Sequence, residues 1–153
     1  MSDTPAPAPT PTEPAFFDLA ACDILTPSEE GRPLLLVHPS GATWKTSTGA
    51  PVQVTLRGRY SSVARDTLKR LGDEIAAMAA DGKKPTPEDQ DRHDTEYLVA
   101  CTVNWNIERL DGAVFHVTPA NIERLWTDKR FAWLRMRALS HIAADVVFLT
   151  PPA

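Results

Sequence analysis

Apolar residues along this chain change their spacing twice, and each change marks a change of element. Residues 2–14, SDTPAPAPTPTEP, hold five of the fourteen prolines and no large apolar side chain. Alternating Ala-Pro offers little surface to bury and few backbone donors, which predicts a disordered, extended proline-rich tail over residues 1–15. A solvated tail is the expected state, and docking of the proline-rich stretch to a partner is the functional alternative. From Phe16 to Arg59 the pattern becomes short apolar runs, FFDLAACDIL, RPLLLV and APVQVTLRG, cut by Pro27, Gly31, Pro33, Pro39, Gly41, Gly49 and Pro51. Turn formers at that density leave no room for helices of ordinary length, so residues 16–59 are read as mainly β, with three or four short strands. Val52, Val54 and Leu56 alternate with Gln53, Thr55 and Arg57, the period of a half-buried strand. The loop HPSGATWKTSTG is polar around Trp44.

Beyond Gly58 the period turns helical. Ala64, Leu68, Leu71, Ile75 and Met78 fall on one face, with Arg65, Lys69, Arg70, Asp73 and Glu74 away from it. Ser61 or Ser62 can cap this helix and Gly82 can end it, which predicts a helix from about Ser62 to Asp81. Thr86 and Pro87 then open a second helix, with Glu88 and Asp89 at its positive end. Its first two turns are polar, so burial is expected to begin at Tyr97, Leu98, Cys101 and Trp105. Asp111-Gly112 signals a turn before the alternation of Val114, Phe115 and Val117. Thr118-Pro119 opens a short third helix with Ile122, Leu125 and Trp126 on one side, and a last helix is predicted from about Phe131 to Phe148. The fold class is α+β: a small N-terminal antiparallel β-sheet followed by a bundle of about four helices, forming one domain over residues 16–150, with residues 60–149 mainly α.

Charge and cysteine usage narrow the function classes. Residues 1–30 carry six acids and no Lys or Arg, leaving 16 Lys and Arg against 14 acids in the remainder. An excess that small is not the concentrated basic stripe of a nucleic-acid binder. Cys22 and Cys101 lie far apart, outside any disulfide framework or CxxC motif, and suit a reducing compartment. With no basic-then-apolar leader and no run of membrane-spanning length, the chain is expected in cytoplasm, away from membranes.

Tests for chemistry return little. A phosphate-binding loop anchored on Lys45-Thr46 would place Pro39 and Trp44 where glycines are required, so a surface turn is the better reading. His38, His93, His116 and His141 sit in four separate segments. The nearest approach to a ligand set is Asp89, His93 and Glu96, one helical turn apart on the polar half of the second helix, where solvated charges are the ordinary expectation. No cofactor, metal site or catalytic constellation is predicted. The tryptophans say more: Trp105 and Trp126 fit the apolar stripes and are expected in the core. Trp133 lies partly off its stripe, which allows it to be exposed, and an exposed Trp is a typical binding anchor. Arg130, Arg135 and Arg137 beside it form either a basic edge for an acidic or helical partner or an ordinary solvated face.

In order along the chain, TLRGRYSSVARDTLKRL, EYLVACTVNWN, VTPANIERLW and FAWLRMRALSHIAADVVFL resemble the tail assembly chaperone family of long-tailed bacteriophages and related prophages. That family shows a strand ending in a Gly-Arg-Asp-Ser-like corner and a helix ending in Leu-x-x-x-Thr/Val-x-x-Trp-Asn. A turn with Gly, an aromatic and a helix-opening Asn follows, and then a last helix ending in Asp-x-x-Phe-Leu. The matching residues are Gly58-Arg59-Tyr60-Ser61, Leu98 to Asn106, Gly112 with Phe115 and Asn121, and Asp145 with Phe148-Leu149. The resemblance spans roughly residues 50–149, with Tyr60 where Asp is usual and Val147 where a polar residue is common. It implies a non-enzymatic protein that binds the long, helical, aggregation-prone tape-measure protein, or other tail proteins, and keeps it soluble in the bacterial cytoplasm until the tail tube polymerises. Partner contacts through Trp133, Arg130, Arg135 and Arg137 are expected on that reading; self-association is left open, as is a longer form of the kind that many members of the family make by ribosomal frameshifting. Two alternatives stand beside it: a structural minor tail or connector protein retained in the particle, and a small enzyme with an unrecognised site.

Overall fold

The two-residue period of Val54 and Leu56 puts both side chains on one face, and both are completely buried. They belong to β2 (Gln53–Leu56), the central strand of a three-stranded antiparallel sheet in a computed structural model that describes residues 18–149. The proline-rich tail expected over residues 1–15 lies outside the described residues. On one side β2 pairs with β1 (Arg32–Leu35), Arg32 opposite Leu56 and Leu35 opposite Gln53. On the other it pairs with β3 (Thr102–Trp105), Val54 opposite Trp105, with a register shift between Thr55 and Leu56. Pro33, which has no N–H to offer, sits in the edge strand, where that loss is tolerated.

Around the sheet lie α1 (Leu25–Glu30), α2 (Ser62–Ala80), α3 (Pro87–Cys101), α4 (Pro119–Thr127), α5 (Ala132–Ala143) and α6 (Asp145–Leu149). The long helices start where their caps stand. Ser61 Oγ accepts from the amide of Ala64, Thr118 Oγ1 from that of Asn121, and Thr86 forms a reciprocal capping box with Asp89; each such cap contributes about 1 kcal/mol. Strands β4 (Arg109–Leu110) and β5 (Ala113–Val114) form a hairpin around Asp111-Gly112, whose positive φ values of 51° and 79° match a two-residue turn of the twisted kind. Leu98, Cys101, Leu125, Trp126, Leu134, Ala138 and Ile142 pack with Val54, Leu56 and Trp105 into one core.

The structure corrects the predicted arrangement in four places. The segment read as opening in β structure instead forms a 3-10 turn (Leu19–Cys22) and α1, because Asp18 and Asp23 each turn a carboxylate onto a following amide, Ala20 at 2.9 Å and Leu25 at 2.8 Å. Residues 36–52 contribute only isolated bridges, Val37 with Thr43 and Lys45 with Pro51. The second helix stops at Cys101 and the chain continues directly as β3, so the sheet is completed from the middle of the chain and is not purely N-terminal. The last helix breaks at Ala144, whose extended ψ of 99° turns Phe148 back into the core against His141.

The stripe predicted on α2 is only half covered. Ala64 and Leu71 are buried, but Leu68 is 49% exposed and Ile75 37%, and beyond Leu71 α2 meets the polar first turns of α3. Ion pairs hold the two helices there, Arg70 to Glu96 at 2.7 Å and Arg92 to Glu74.

Where β2 ends, three successive amides donate to three helices: Arg57 to the carbonyl of Cys101, Gly58 to that of Ser28 and Arg59 to that of Ile142. Gly58 is buried, and a Cβ there would stand 2.6 Å from Ser28 Oγ and 3.0 Å from Phe148. Gly58→Ala is expected to lower unfolding free energy by about 1–3 kcal/mol. Ser28→Ala, which removes a buried hydroxyl with no partner among the described residues, is expected to be neutral or stabilising. Urea denaturation of both variants checks the pair. A second expectation concerns His141, whose Nε2 lies 3.1 Å from the carbonyl of Arg32 and therefore donates to it. Burial holds its pKa below the ordinary 6.5. The unfolded chain then takes up the proton first, so this contribution is complete above about pH 6.5 and declines as the pH falls below it. The urea midpoint should drop between pH 7 and pH 5, and His141→Gln should flatten that drop.

Candidate functional site

The segment between β1 and β2 forms a platform for one exposed aromatic ring. Gly41 and Gly49, at φ 90° and 86°, close two tight turns in which their amides donate to the carbonyls of His38 and Thr46. Between the turns Trp44 is pinned by its backbone: its amide donates to Leu36 O, and its carbonyl accepts from Val52. The Trp44 ring meets His38 edge-on at 5.6 Å and Trp133, near the start of α5, at 5.8 Å. One helical turn further, Arg137 lays its guanidinium 5.4 Å from the Trp133 ring centre and donates through Nη1 to Val37 O. Trp44 and Trp133 stay 42% and 38% exposed.

They stand at the mouth of a cleft of about 480 Å³, a size in the usual range for ligand and side-chain pockets. Its walls are mainly apolar: Leu36, Val52, Ile107, Leu110 and Phe131, over a floor of buried Phe115, Leu125 and Leu134. Phe115 stacks on Trp105 at 4.9 Å, and its carbonyl accepts from Trp105 Nε1 at 2.9 Å, so ring and backbone fix the floor together. Asn106 clamps one end, its Oδ1 accepting from Gln53 N at 2.7 Å and its Nδ2 donating to Pro51 O at 2.8 Å. The Glu108 carboxylate is turned to the amide and hydroxyl of Ser47, and Lys45 and Arg109 complete the rim.

Of the four residues singled out from the sequence, Trp133 and Arg137 share this surface and the other two do not. Successive helical residues are rotated by about 100°, so position 137 returns to the face of 133 and position 135 points away. Arg135 accordingly reaches across to Asp91 of α3 at 2.8 Å. Arg130 is engaged by Asp111 at 2.8 Å and Asp128 at 2.7 Å, and those hydrogen bonds hold the Asp111 and Asp128 carboxyls below their ordinary range. The supposed basic edge is therefore divided among three places, and two of its arginines are neutralised. Trp44, Lys45 and Arg109 were missed. A tryptophan between two Gly-Pro turn signals in a polar loop was the available clue to the first.

The Asp89, His93 and Glu96 set does not converge as ligands. Asp89 is occupied by its capping box, and Glu96 by Arg70 and by Arg92 at 2.9 Å, which lower its pKa. His93 is not on a solvated face: it is 4% exposed, with Nε2 3.2 Å from Arg92 and 3.8 Å from Glu74. Among the described residues no group of three His, Cys, Asp or Glu side chains is placed to hold a metal ion. Burial pushes the Cys101 thiol and the Tyr97 phenol up to about 12, so both are neutral and poor nucleophiles at pH 7. Among the described residues no helix is long and apolar enough to cross a membrane. Comparison with protein-family models, curated proteins and solved structures finds no significant match.

The two tryptophans of this region separate by burial. Trp126 is 1% exposed and donates through Nε1 to Thr102 Oγ1 at 2.9 Å, so Trp126→Ala should cost about 3–5 kcal/mol. Trp133→Ala removes a partly exposed ring and should cost about 1 kcal/mol. Chemical denaturation of the two variants checks this, and equal losses would place Trp133 in the core.

Proposed function

We propose that the chain is a phage tail assembly chaperone, a non-catalytic protein that binds the tape-measure protein and keeps it soluble during tail assembly. The observation that carries this reading is the pair of partly exposed tryptophans at the mouth of an apolar cleft, an anchor site for apolar side chains of a partner. The segments that resemble the family supply further support, since they occupy joints of the fold. The Gly58 corner meets the last segment through Arg59 and Asp145 at 2.7 Å, and the Leu98 to Asn106 segment forms the junction of α3 and β3. Reversible coating of exposed apolar helices requires several modest contacts and no chemistry, and the uncovered part of the α2 stripe offers a second such surface.

Co-expression with the tape-measure protein of the same genome tests the proposal. The expected result is a several-fold rise in soluble tape-measure protein that co-purifies with this chain, reduced by Trp133→Ala while the variant's melting temperature stays close to that of the parent. Tape-measure protein that precipitates to the same extent with and without the chain would overturn it. Recovery of the chain in stoichiometric amount from finished particles would also overturn it, in favour of a retained tail component.

A further inference from the structure

The cations on and near the cleft fall into two groups. Arg124, Arg130 and Arg135, on and next to the cleft-forming helices, are all ion-paired, to Asp111, Asp128 or Asp91. Lys45 and Arg109 on the cleft lining, and Arg137 against the outer side of Trp133, have no carboxylate ion pair among the described residues, although the chain as a whole carries a net charge of −4. Arg109 and Arg137 are instead held by neutral carbonyls, Nη1 of Arg109 on Gly112 O at 2.9 Å and Nη1 of Arg137 on Val37 O. A guanidinium held by a carbonyl is oriented but keeps its full charge and its remaining N–H donors. The one carboxylate lining the cleft, Glu108, is turned to Ser47.

Taking the binding function proposed above as its premise, we infer that the Trp44–Trp133 cleft receives a helical segment of the partner whose apolar face is flanked by Asp or Glu. An apolar side chain of that helix enters beside the paired indole rings toward Phe115 and Leu134, and its flanking carboxylates meet Lys45 and Arg109 of the lining and Arg137 behind Trp133. Apolar walls supply affinity, and the unneutralised cations supply selection. A basic-flanked helix with the same apolar face would bring like charge against these cations, which outnumber the single lining carboxylate, Glu108. Arg130 and Arg135, satisfied within the chain, take no part.

The test uses the full chain and two synthetic amphipathic peptides with an identical Leu and Phe face, one flanked by Glu and the other by Lys. Calorimetry gives Kd, and tryptophan emission reports on the rim, since Trp105 and Trp126 are already buried. The Glu-flanked peptide is expected to bind about tenfold tighter at low salt, with a blue shift, and the preference is expected to shrink at about 0.5 M salt. Lys45→Glu with Arg109→Glu should reverse the preference. Lys45→Ala, on an exposed loop, should reduce it and serves if the double variant unfolds. Equal binding of the two peptides, preference for the Lys-flanked one, or failure of both to bind would overturn the inference. Co-purification of the tape-measure protein that survives the Lys45 and Arg109 reversal would also overturn it, while leaving the chaperone reading intact. Selective binding of the Glu-flanked peptide by a chain that does not hold the tape-measure protein would support the cleft and remove the chaperone reading.

Discussion

The fold depends on the corner at which β2 ends. Arg57, Gly58 and Arg59 spend three consecutive amides on carbonyls of α3, α1 and α5, so one tripeptide sets three helices against the sheet. The approach is close enough that only a residue without a Cβ fits at its centre. The α3 carbonyl it uses, that of Cys101, lies at the junction where helix becomes strand. There Thr102 Oγ1 donates to Leu98 O at 2.6 Å and accepts from Trp126 Nε1, a buried hydroxyl with both capacities used. That junction brings Trp105 opposite Val54, and Trp105 in turn fixes Phe115 and the floor of the cleft.

Electrostatics then divide the surface into closed and open parts. Between α2 and α3, where apolar contact runs out, Arg70 and Arg92 are shared among Glu74 and Glu96. Pairs as exposed as these are screened by solvent and can align a helix but do not cover its apolar stripe. Around α4 and α5, Arg124, Arg130 and Arg135 are likewise ion-paired within the chain. The cleft joins apolar walls to two cations, Lys45 and Arg109, that have no carboxylate ion pair among the described residues.

How much of this was legible in the sequence follows from how local each signal is. The starts of α2, α3 and α4 were readable because a Ser or Thr cap and a following Pro or acid act within one turn. The end of α3 was not. Tyr97, Leu98, Cys101 and Trp105 keep a helical spacing straight through the junction, and what ends the helix is pairing with β2 and a hydroxyl shared with Trp126, both distant in sequence. The break at Ala144 was hidden for the same reason, since it depends on space beside Gly58 and His141 for Phe148. At the candidate site the sequence pointed to Trp133 but grouped three arginines by proximity along the chain. Helical rotation and the positions of Asp91, Asp111 and Asp128 separate them, and only the folded chain brings Trp44 to Trp133.

The cleft is built from three separated stretches, residues 36–52, 106–115 and 125–134, yet it owes nothing to a partner for its shape. Asn106, the Glu108 to Ser47 contact, the Trp105 to Phe115 bond and the Arg137 to Val37 bond lock those stretches together in the free chain. Binding therefore need not order the protein side, and little of the interaction energy is consumed in doing so. A partner contact confined to this cleft of about 480 Å³, as the proposed function has it, would be small and would favour fast release over tight retention. The proposed chaperone function asks for a preformed but small site of this kind, one that would engage an apolar helix without rearranging and release it when a larger interface competes for the same helix.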